Sequence, residues 1–169
     1  MPTPCFMTIE GKNQKLITKE AYTAESVGNW QEGHEDEFLV QAFDHTVTVP
    51  TDPQSGQVSG QRVHKPLTIT KVFDRSSPLL YNAVASGEKL KCQIKWYRTS
   101  PMGVQEHYFT IELEDAVITN IRAHMPNCQD PAMASFTHLE DVSFAYGRIT
   151  WTHEVCGVSG ADDWKKPKY

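Results

Sequence analysis

The segment YFTIELEDAVITNIRA, Tyr108 to Ala123, shows the pattern that dominates the chain, because apolar residues recur at every second position. Successive side chains of a strand point to opposite faces of a sheet, so this period of two predicts strands with one apolar and one polar face. The apolar series begins with Phe109, Ile111 and Leu113 and continues through Val117, Thr119, Ile121 and Ala123.

The same alternation predicts strands around residues 5–9, 43–49, 67–69 and 92–96. In the last predicted strand, residues 142–151, the apolar positions change parity across Gly147, which indicates a β-bulge in one long, bent strand. The tail from Gly157 to Tyr169 reads as irregular and exposed, except that Trp164 is expected to dock on the body of the protein.

One segment has helical spacing instead. In DRSSPLLYNAVASGEKL, residues 74–90, Ser77 is expected to cap the helix and Pro78 suits its first turn. Gly87 suits the left-handed position that ends many helices. The apolar side of this short helix of two to three turns consists of Leu79, Leu80, Ala83 and Val84.

These elements predict a mainly β fold, an antiparallel β-barrel or sandwich with seven or more strands and one short flanking α-helix. Residues 1–169 are expected to form a single domain, since 39% of them are hydrophobic, enough for one core. One segment does not fit a compact domain: VPTDPQSGQVSGQRVHKP, residues 49–66, reads as a long extended loop. It is much longer than the two to five residues that usually connect the strands of a hairpin. Such a polar loop can hydrogen-bond to a partner and become ordered on docking.

Composition excludes several classes of function. A net charge of −5 argues against a nucleic-acid partner, and the apolar runs are too short for membrane insertion. The N-terminus lacks a signal peptide, which predicts folding in the cytoplasm. The four cysteines lie far apart in sequence, and we expect them to be reduced and mostly buried.

Motifs for catalysis are missing from the sequence: it contains no P-loop, dinucleotide fingerprint, H-E-x-x-H or G-x-S-x-G. The best metal candidate is EGHEDE, residues 32–37, where His34, Glu35 and Asp36 offer nitrogen and oxygen ligands. Adjacent residues on an extended chain point apart, so a solvated acidic loop or interface patch is the preferred interpretation. We therefore expect no enzyme activity, metal or cofactor.

Several segments, spread over the chain in one order, resemble the haemolysin-coregulated protein (Hcp) family of bacterial type VI secretion systems. They are MPTPCFMTIEG (1–11), EGHEDEFLVQAF (32–43), VTVPTDPQSGQVSGQRVHKP (47–66), LLYNAVASGE (79–88), KWYRTS (95–100), MPNCQDP (125–131) and SGADDWKKP (159–167). The segment 28–37 departs from the family pattern in being shorter.

The resemblance implies a small β-barrel with a helix on its flank, six copies of which form a ring around a wide pore. Rings stack head to tail into a tube that is surrounded by a contractile sheath, tipped by a spike protein, and loaded with small effector proteins. The tube protein is assembled in the cytoplasm and released to the medium without a signal peptide. The polar strand faces are expected to line the pore, although either parity fits the sequence.

The long loop is the expected contact to a neighbouring subunit, most of all one in the next ring. Its contact residues would be Thr51, Asp52, Gln54, Ser55, Gln57, Ser59, Gln61, Arg62 and His64. Arg62 is the expected charged anchor, because its guanidinium can pair bidentately with a carboxylate. The candidate acidic interface consists of Glu32, Glu35, Asp36, Glu37, Asp162 and Asp163.

Two other hypotheses stay open at this point. One is a monomeric β-sandwich that binds a carbohydrate or peptide through the long loop, although the loop carries no aromatic residue. The other is a hydrolase that uses histidine and acidic residues near residues 32–37.

Overall fold

The structure, a computed structural model, describes residues 3–28 and 30–164 and is built mainly from antiparallel strands. The strands are β1 (Cys5–Gly11), β2 (Lys15–Leu16), β3 (Phe38–Leu39), β4 (Ala42–Asp44), β5 (Val47–Thr48), β6 (Val63–His64), β7 (Leu67–Val72), β8 (Leu90–Thr99), β9 (Gln105–His124), β10 (Leu139–Ala145), β11 (Arg148–His153) and β12 (Val158–Asp163). The helices are α1 (Ala24–Val27) and α2 (Ser77–Ser86), with a 3₁₀ turn at Pro131–Met133. The predicted mainly β class is confirmed.

Strand β9 is shared by two layers. Its first half pairs with β8 and β11, and its second half pairs with β10. Layer one runs β1, β8, β9, β11, β12, and layer two runs β9, β10, β7, β4. Side chains from both layers, among them Met7, Ile94, Ile69 and Phe144, pack into one core cluster. The arrangement is a sandwich in which one long strand joins the two sheets.

The face of β9 that points to the core changes at Asp115, which has a left-handed φ of 52°. Leu113 is fully buried before this point, whereas Ala116 and Ile118 are the buried residues after it. The register between β9 and β10 shifts again opposite Ser143. Odd-numbered residues of β9 therefore point to the core once more from Ile121 onward. The sequence therefore predicted one parity, whereas the structure has a single strand of 20 residues with these two irregularities and a third at Tyr108, opposite β8.

The partner strand breaks opposite Asp115. β10 and β11 follow β9 along one edge and are separated by Tyr146 and Gly147. A Cβ on Gly147 would lie 3.3 Å from the Asp115 Cβ, a tight approach that favours glycine at this position. The irregularity predicted at Gly147 is confirmed in position, but it divides the segment into two strands.

Two further expectations were wrong. The predicted strand over residues 43–49 is divided between β4 in layer two and β5 in a separate ribbon with β6. The tail is not irregular before residue 164, because β12 pairs with β11 along Val158–Asp163. Trp164 docks as expected, with its ring 5.4 Å from that of His64. The predicted irregularity of residues 165–169 lies outside the described residues.

Helix α2 is confirmed, with Pro78 in its first turn and Gly87 in the left-handed conformation at φ 66°. Its cap position is Ser76 rather than Ser77, whose hydroxyl instead contacts Lys71 and Glu140. Leu80 and Ala83 enter the core cluster. The helix thereby covers the core beside β9. Within the described residues, no helix is long and apolar enough to span a bilayer.

A buried ion cluster fixes α2 to layer two. The Lys71 ammonium is fully buried, lies 3.1 Å from Asp74, and pairs with Glu140 on β10. It also lies over the Phe38 ring at 5.2 Å, which ties β3 to the same point. Lys71 is the common cation of these two buried carboxylates, so a neutral residue in its place would leave both of their charges uncompensated.

We predict that Lys71→Met lowers the free energy of unfolding by about 3 kcal/mol, measured by urea denaturation at fixed protein concentration. The matched control is Lys91→Met, which removes the partner of Glu112 from an exposed pair on layer one. That change should cost about 0–1 kcal/mol. Equal losses in the two variants would contradict a structural role for the Lys71 cluster.

Candidate functional site

Residues 47–64, here called the arm, form a preformed hairpin that leaves layer two between β4 and β7. At its base, Val47 pairs with His64 and Thr48 with Val63. Further out, Thr51 and Val58 form an isolated bridge, and the Ser59 amide donates to the Pro50 carbonyl at 2.9 Å. The arm is therefore ordered in a single chain, whereas the sequence suggested a loop that becomes ordered on docking.

A tight turn closes the tip of the arm. The Asp52 carboxylate accepts from the Gln54 amide at 2.9 Å and from the Ser55 hydroxyl at 3.0 Å. The backbone amide of Gln54 and the Ser55 hydroxyl lower the pKa of Asp52 in this way. Gly56 provides the required left-handed residue at φ 73°. Residues 51–61 are all exposed, so the tip presents amides and hydroxyls to solvent.

Both legs of the arm are tied to one phenol. The Tyr146 hydroxyl lies 2.7 Å from Nε2 of His45, which precedes the first leg, and 2.7 Å from Nδ1 of His64, which ends the second. His64 is buried, and its Nε2 lies 2.6 Å from the Asp162 carboxylate on β12. The hydroxyl and this carboxylate thus join the arm to both layers.

Arg62 completes this attachment. Its Nε and one terminal nitrogen bind the two oxygens of Asp162, and a terminal nitrogen also donates to the Asp163 carbonyl at 2.9 Å. The hydrogen bonds from Arg62, followed by that from His64, lower the pKa of Asp162 to about 2. His45, Arg62, His64, Tyr146 and Asp162 are called the anchor below.

Arg62 forms the bidentate pair with a carboxylate that the sequence predicted, but the carboxylate is that of Asp162 in the same chain. The sequence had assigned it to a contact between subunits. The difference arises because β12 is a regular strand that runs beside β11 and brings Asp162 opposite Ile149, next to Tyr146. Arg62 therefore orients the base of the arm, and the tip residues from Thr51 to Gln61 remain the candidates for contact with a neighbour.

The acidic segment 32–37 covers layer one. His34 stacks on the buried Phe6 ring at a centroid distance of 3.8 Å, and Glu37 lies 3.6 Å from the Lys95 ammonium. Asp36 accepts from the Glu20 amide, and the Gly33 amide lowers the pKa of Glu35. Within residues 3–28 and 30–164, no three His, Cys, Asp or Glu side chains are grouped to hold a metal ion.

The outer face of layer two is polar and lies open. Its residues form two rows across the strands, Ala42–Thr70–Asp141–Arg122 and Asp44–Thr68–Ser143–Asn120. Thr70 donates to Asp141 at 2.6 Å, and Thr68 and Ser143 share a hydrogen bond of 3.0 Å. In contrast, the outer face of layer one is covered at Phe6 by Tyr22 and His34. We call the first surface the open face.

Sequence reasoning singled out the arm and both ends of the Arg62–Asp162 pair but missed His45 and Tyr146. Neither residue belongs to a motif, and they are 101 positions apart. The only sequence signal was the change of parity at Gly147, which marks the break that leaves Tyr146 between β10 and β11. The cysteines are free as expected, but Cys128 and Cys156 are exposed rather than buried.

Comparison with known proteins gives matches over almost the whole chain. A sequence model described as type VI secretion system effector, Hcp, matches residues 6–153. The Major exported protein of Pseudomonas aeruginosa is 62% identical over 169 residues, covering 99% of this chain and 98% of the relative.

Two solved structures are also similar. A crystal structure of an Hcp protein has a TM-score of 0.93 at 48% identity and covers 98% of this chain and 99% of that one. The secreted protein Hcp3 from Pseudomonas aeruginosa has a TM-score of 0.83 at 53% identity, covering 98% of this chain and 100% of that one.

The molecule is thus of the class of exported proteins of type VI secretion systems. The chain belongs to the Hcp family. This is a family of structural, secreted proteins and not a known enzyme family.

We predict that Asp162 stabilises the fold only while it is ionised. Its ordinary pKa is 3.8, and the folded value is about 2, so its contribution is complete above about pH 4 and disappears as the pH falls toward 2. The urea midpoints of wild type and Asp162→Asn should therefore differ above pH 4 and converge toward pH 2. As a control, Glu32→Gln changes an exposed carboxylate in the loop before β3 and should follow the wild type throughout. A constant difference across this range would show that Asp162 acts by its shape alone.

Proposed function

We propose that this chain is the structural subunit of a type VI secretion tube. Six copies close into a ring, rings stack into a tube, and the tube carries small effector proteins before it is released from the cell. Its other partners are a spike protein at the tip and a contractile sheath. Assembly takes place in the cytoplasm, and export through the apparatus needs no signal peptide. Membership of the Hcp family supports this role.

The observation that carries the proposal is the arm. A contact that extends from one ring to the next needs a projecting element whose direction is fixed, because each flexible residue costs about 1–2 kcal/mol to order on docking. The hairpin bonds of the arm and the anchor at its base meet that requirement within a single chain. The exposed amides and hydroxyls of residues 51–61 then offer hydrogen bonds to a neighbouring subunit.

The open face is the candidate wall of the pore. Its hydroxyl, amide and carboxylate side chains suit a water-filled channel, and its strands are continuous with the arm, which connects β4 to β7. Layer one is the weaker candidate because the segment before β3 covers part of its outer face. A folded, hydrated effector protein could lie against the open face without binding tightly to an apolar surface.

We predict that replacing residues 54–61 by a short Gly-Ser turn leaves six-subunit rings intact and abolishes stacking. The anchor residues stay in place, so the change removes the tip alone. Light scattering measures the ring mass, and electron microscopy of the same sample counts stacked rings.

At the level of a single side chain, Gln57→Ala should weaken stacking, whereas Gln129→Ala, on an exposed loop after β9, should not. Long tubes formed by the shortened variant would refute the role of the arm, and a monomeric wild type would refute the tube.

We predict that stacking through the arm depends little on salt. The sequence alone favoured a salt-sensitive contact through Arg62, but Arg62 is bound to Asp162 of its own chain. Residues 51–61 contain one charged side chain, Asp52, which is held in the tip turn. Raising the salt from 0.1 to 1 M shortens the Debye length from about 10 to 3 Å and should leave tube length nearly unchanged in micrographs. Dissolution of tubes across this range would point to charged contacts elsewhere.

A further inference from the structure

In the anchor, a chain of hydrogen bonds runs from His45 through Tyr146 and His64 to Asp162. The protonation states of the end groups limit how many hydrogens this chain can hold. Asp162 is ionised near neutral pH, because Arg62 lowers its pKa to about 2. Its oxygen lies 2.6 Å from His64 Nε2, so this nitrogen must carry a hydrogen. Burial raises the pKa of Tyr146 far above neutrality, so the phenol also keeps its proton.

The single hydroxyl hydrogen of Tyr146 faces two imidazole nitrogens, each at 2.7 Å. In the first arrangement, the hydroxyl donates to Nδ1 of a neutral His64 and accepts from Nε2–H of His45. In the second, a charged His64 donates from Nδ1–H to the phenol oxygen, and the hydroxyl donates to Nε2 of a neutral His45. One additional proton can therefore reside on either histidine. It passes from His45 to His64 when Nε2–H of His45 gives its proton to the Tyr146 oxygen and the hydroxyl gives its own proton to Nδ1 of His64, and the reverse transfer returns it.

A second additional proton has no such arrangement. With both rings charged, two N–H groups point at one phenol oxygen, and the hydroxyl hydrogen loses both of its acceptors. Within residues 3–28 and 30–164, the charged groups in contact with the pair include Arg62 and Asp162 beside His64, and Asp44 beside His45. Two imidazolium ions and Arg62 would then face these two carboxylates, with Asp162 already bound to Arg62. Burial and the charge of His64 both lower the pKa of His45, consistent with this cost.

We propose that the anchor is a proton-controlled latch for the arm, closed while at most one of His45 and His64 is charged and opened by the second proton. His45 is half buried and His64 is buried, so solvent reaches the pair at His45, and the Tyr146 hydroxyl connects His45 to His64. Because the histidines flank the two legs of the arm, opening releases both legs together. Mild acid would then loosen the arm and, if the arm joins rings as proposed above, would loosen the tube.

The direction of the pH effect follows from linkage. A histidine whose pKa is lower in the folded state binds its proton more readily when the local structure opens. The closed latch is therefore fully stable above the ordinary value of 6.5 and weakens as the pH falls below it. For one proton taken up on opening, the population of the open state rises at most about tenfold per pH unit.

Amide hydrogen exchange of Lys65 tests the latch directly. Its N–H donates to the Thr46 carbonyl at 3.0 Å and joins the two legs next to the anchor. The protection factor, which corrects for the intrinsic pH dependence of exchange, is measured on the intact chain at pH 7 and pH 5 as dissociated rings. We expect it to fall at least tenfold in the wild type. In His45→Gln, which keeps a neutral amide donor, it should stay within about threefold of its pH 7 value.

The matched control is His138→Gln, which changes an exposed histidine whose ring packs near Phe73, away from the anchor. This variant should keep the full wild-type loss of protection. Nitrogen chemical shifts of the two imidazoles in the wild type give a second measure that needs no mutation, and they should show coupled titration with a shared first proton. Unchanged Lys65 protection between pH 7 and 5, or an equal loss in His45→Gln, would overturn the latch. Because dissociated rings are used, that result would leave the proposed tube untouched.

Discussion

The rest of the structure depends on the bulge at Asp115 in the shared strand β9. A strand of 20 residues can serve two layers only if the face that it turns to the core changes where the layers meet. That change occurs at Asp115, where the opposite strand breaks at Tyr146 and Gly147. The break leaves Tyr146 outside the regular ladder, and its hydroxyl reaches the base of the arm. The joint between the layers and the anchor of the arm are therefore one structural feature.

This connection explains how a polar hairpin keeps a fixed direction. An isolated two-stranded hairpin is marginally stable in water, and the arm has little apolar surface to bury. Its base is held by a buried histidine, an ion pair and a phenol, contributed from β6, β12 and the link between β10 and β11. Charge-assisted hydrogen bonds of this kind are stronger and more directional than neutral ones. The tip can consequently remain polar and exposed in the single chain and still present one shape.

The alternation of apolar residues and the residues that begin and end helices predicted the fold class, most strands and α2. Both signals depend on residues that are close in sequence. They failed at Val117 and Thr119, where a left-handed Asp115 reverses the parity. They also failed in the tail, where β12 forms by pairing with β11 rather than by its own apolar pattern, since Gly160, Asp162 and Asp163 are of residue types depleted in strands. These errors share a cause, since tertiary pairing decided the local structure.

The candidate site was predictable in part for the same reason. The length and polarity of the arm are visible in the sequence, and so is the capacity of Arg62 to bind a carboxylate. Which carboxylate it binds depends on the register between β11 and β12, and the roles of His45 and Tyr146 depend on contacts across about 100 residues. No sequence pattern encodes such contacts.

The most direct test of the account is a cryo-electron microscopy reconstruction of assembled tubes at side-chain resolution. We predict that residues 51–61 contact a subunit of the adjacent ring, while Arg62 and Asp162 remain paired within one chain and the open face lines the pore. An arm whose tip touches only its own ring, or an Arg62 bound to a carboxylate of another subunit, would contradict the account.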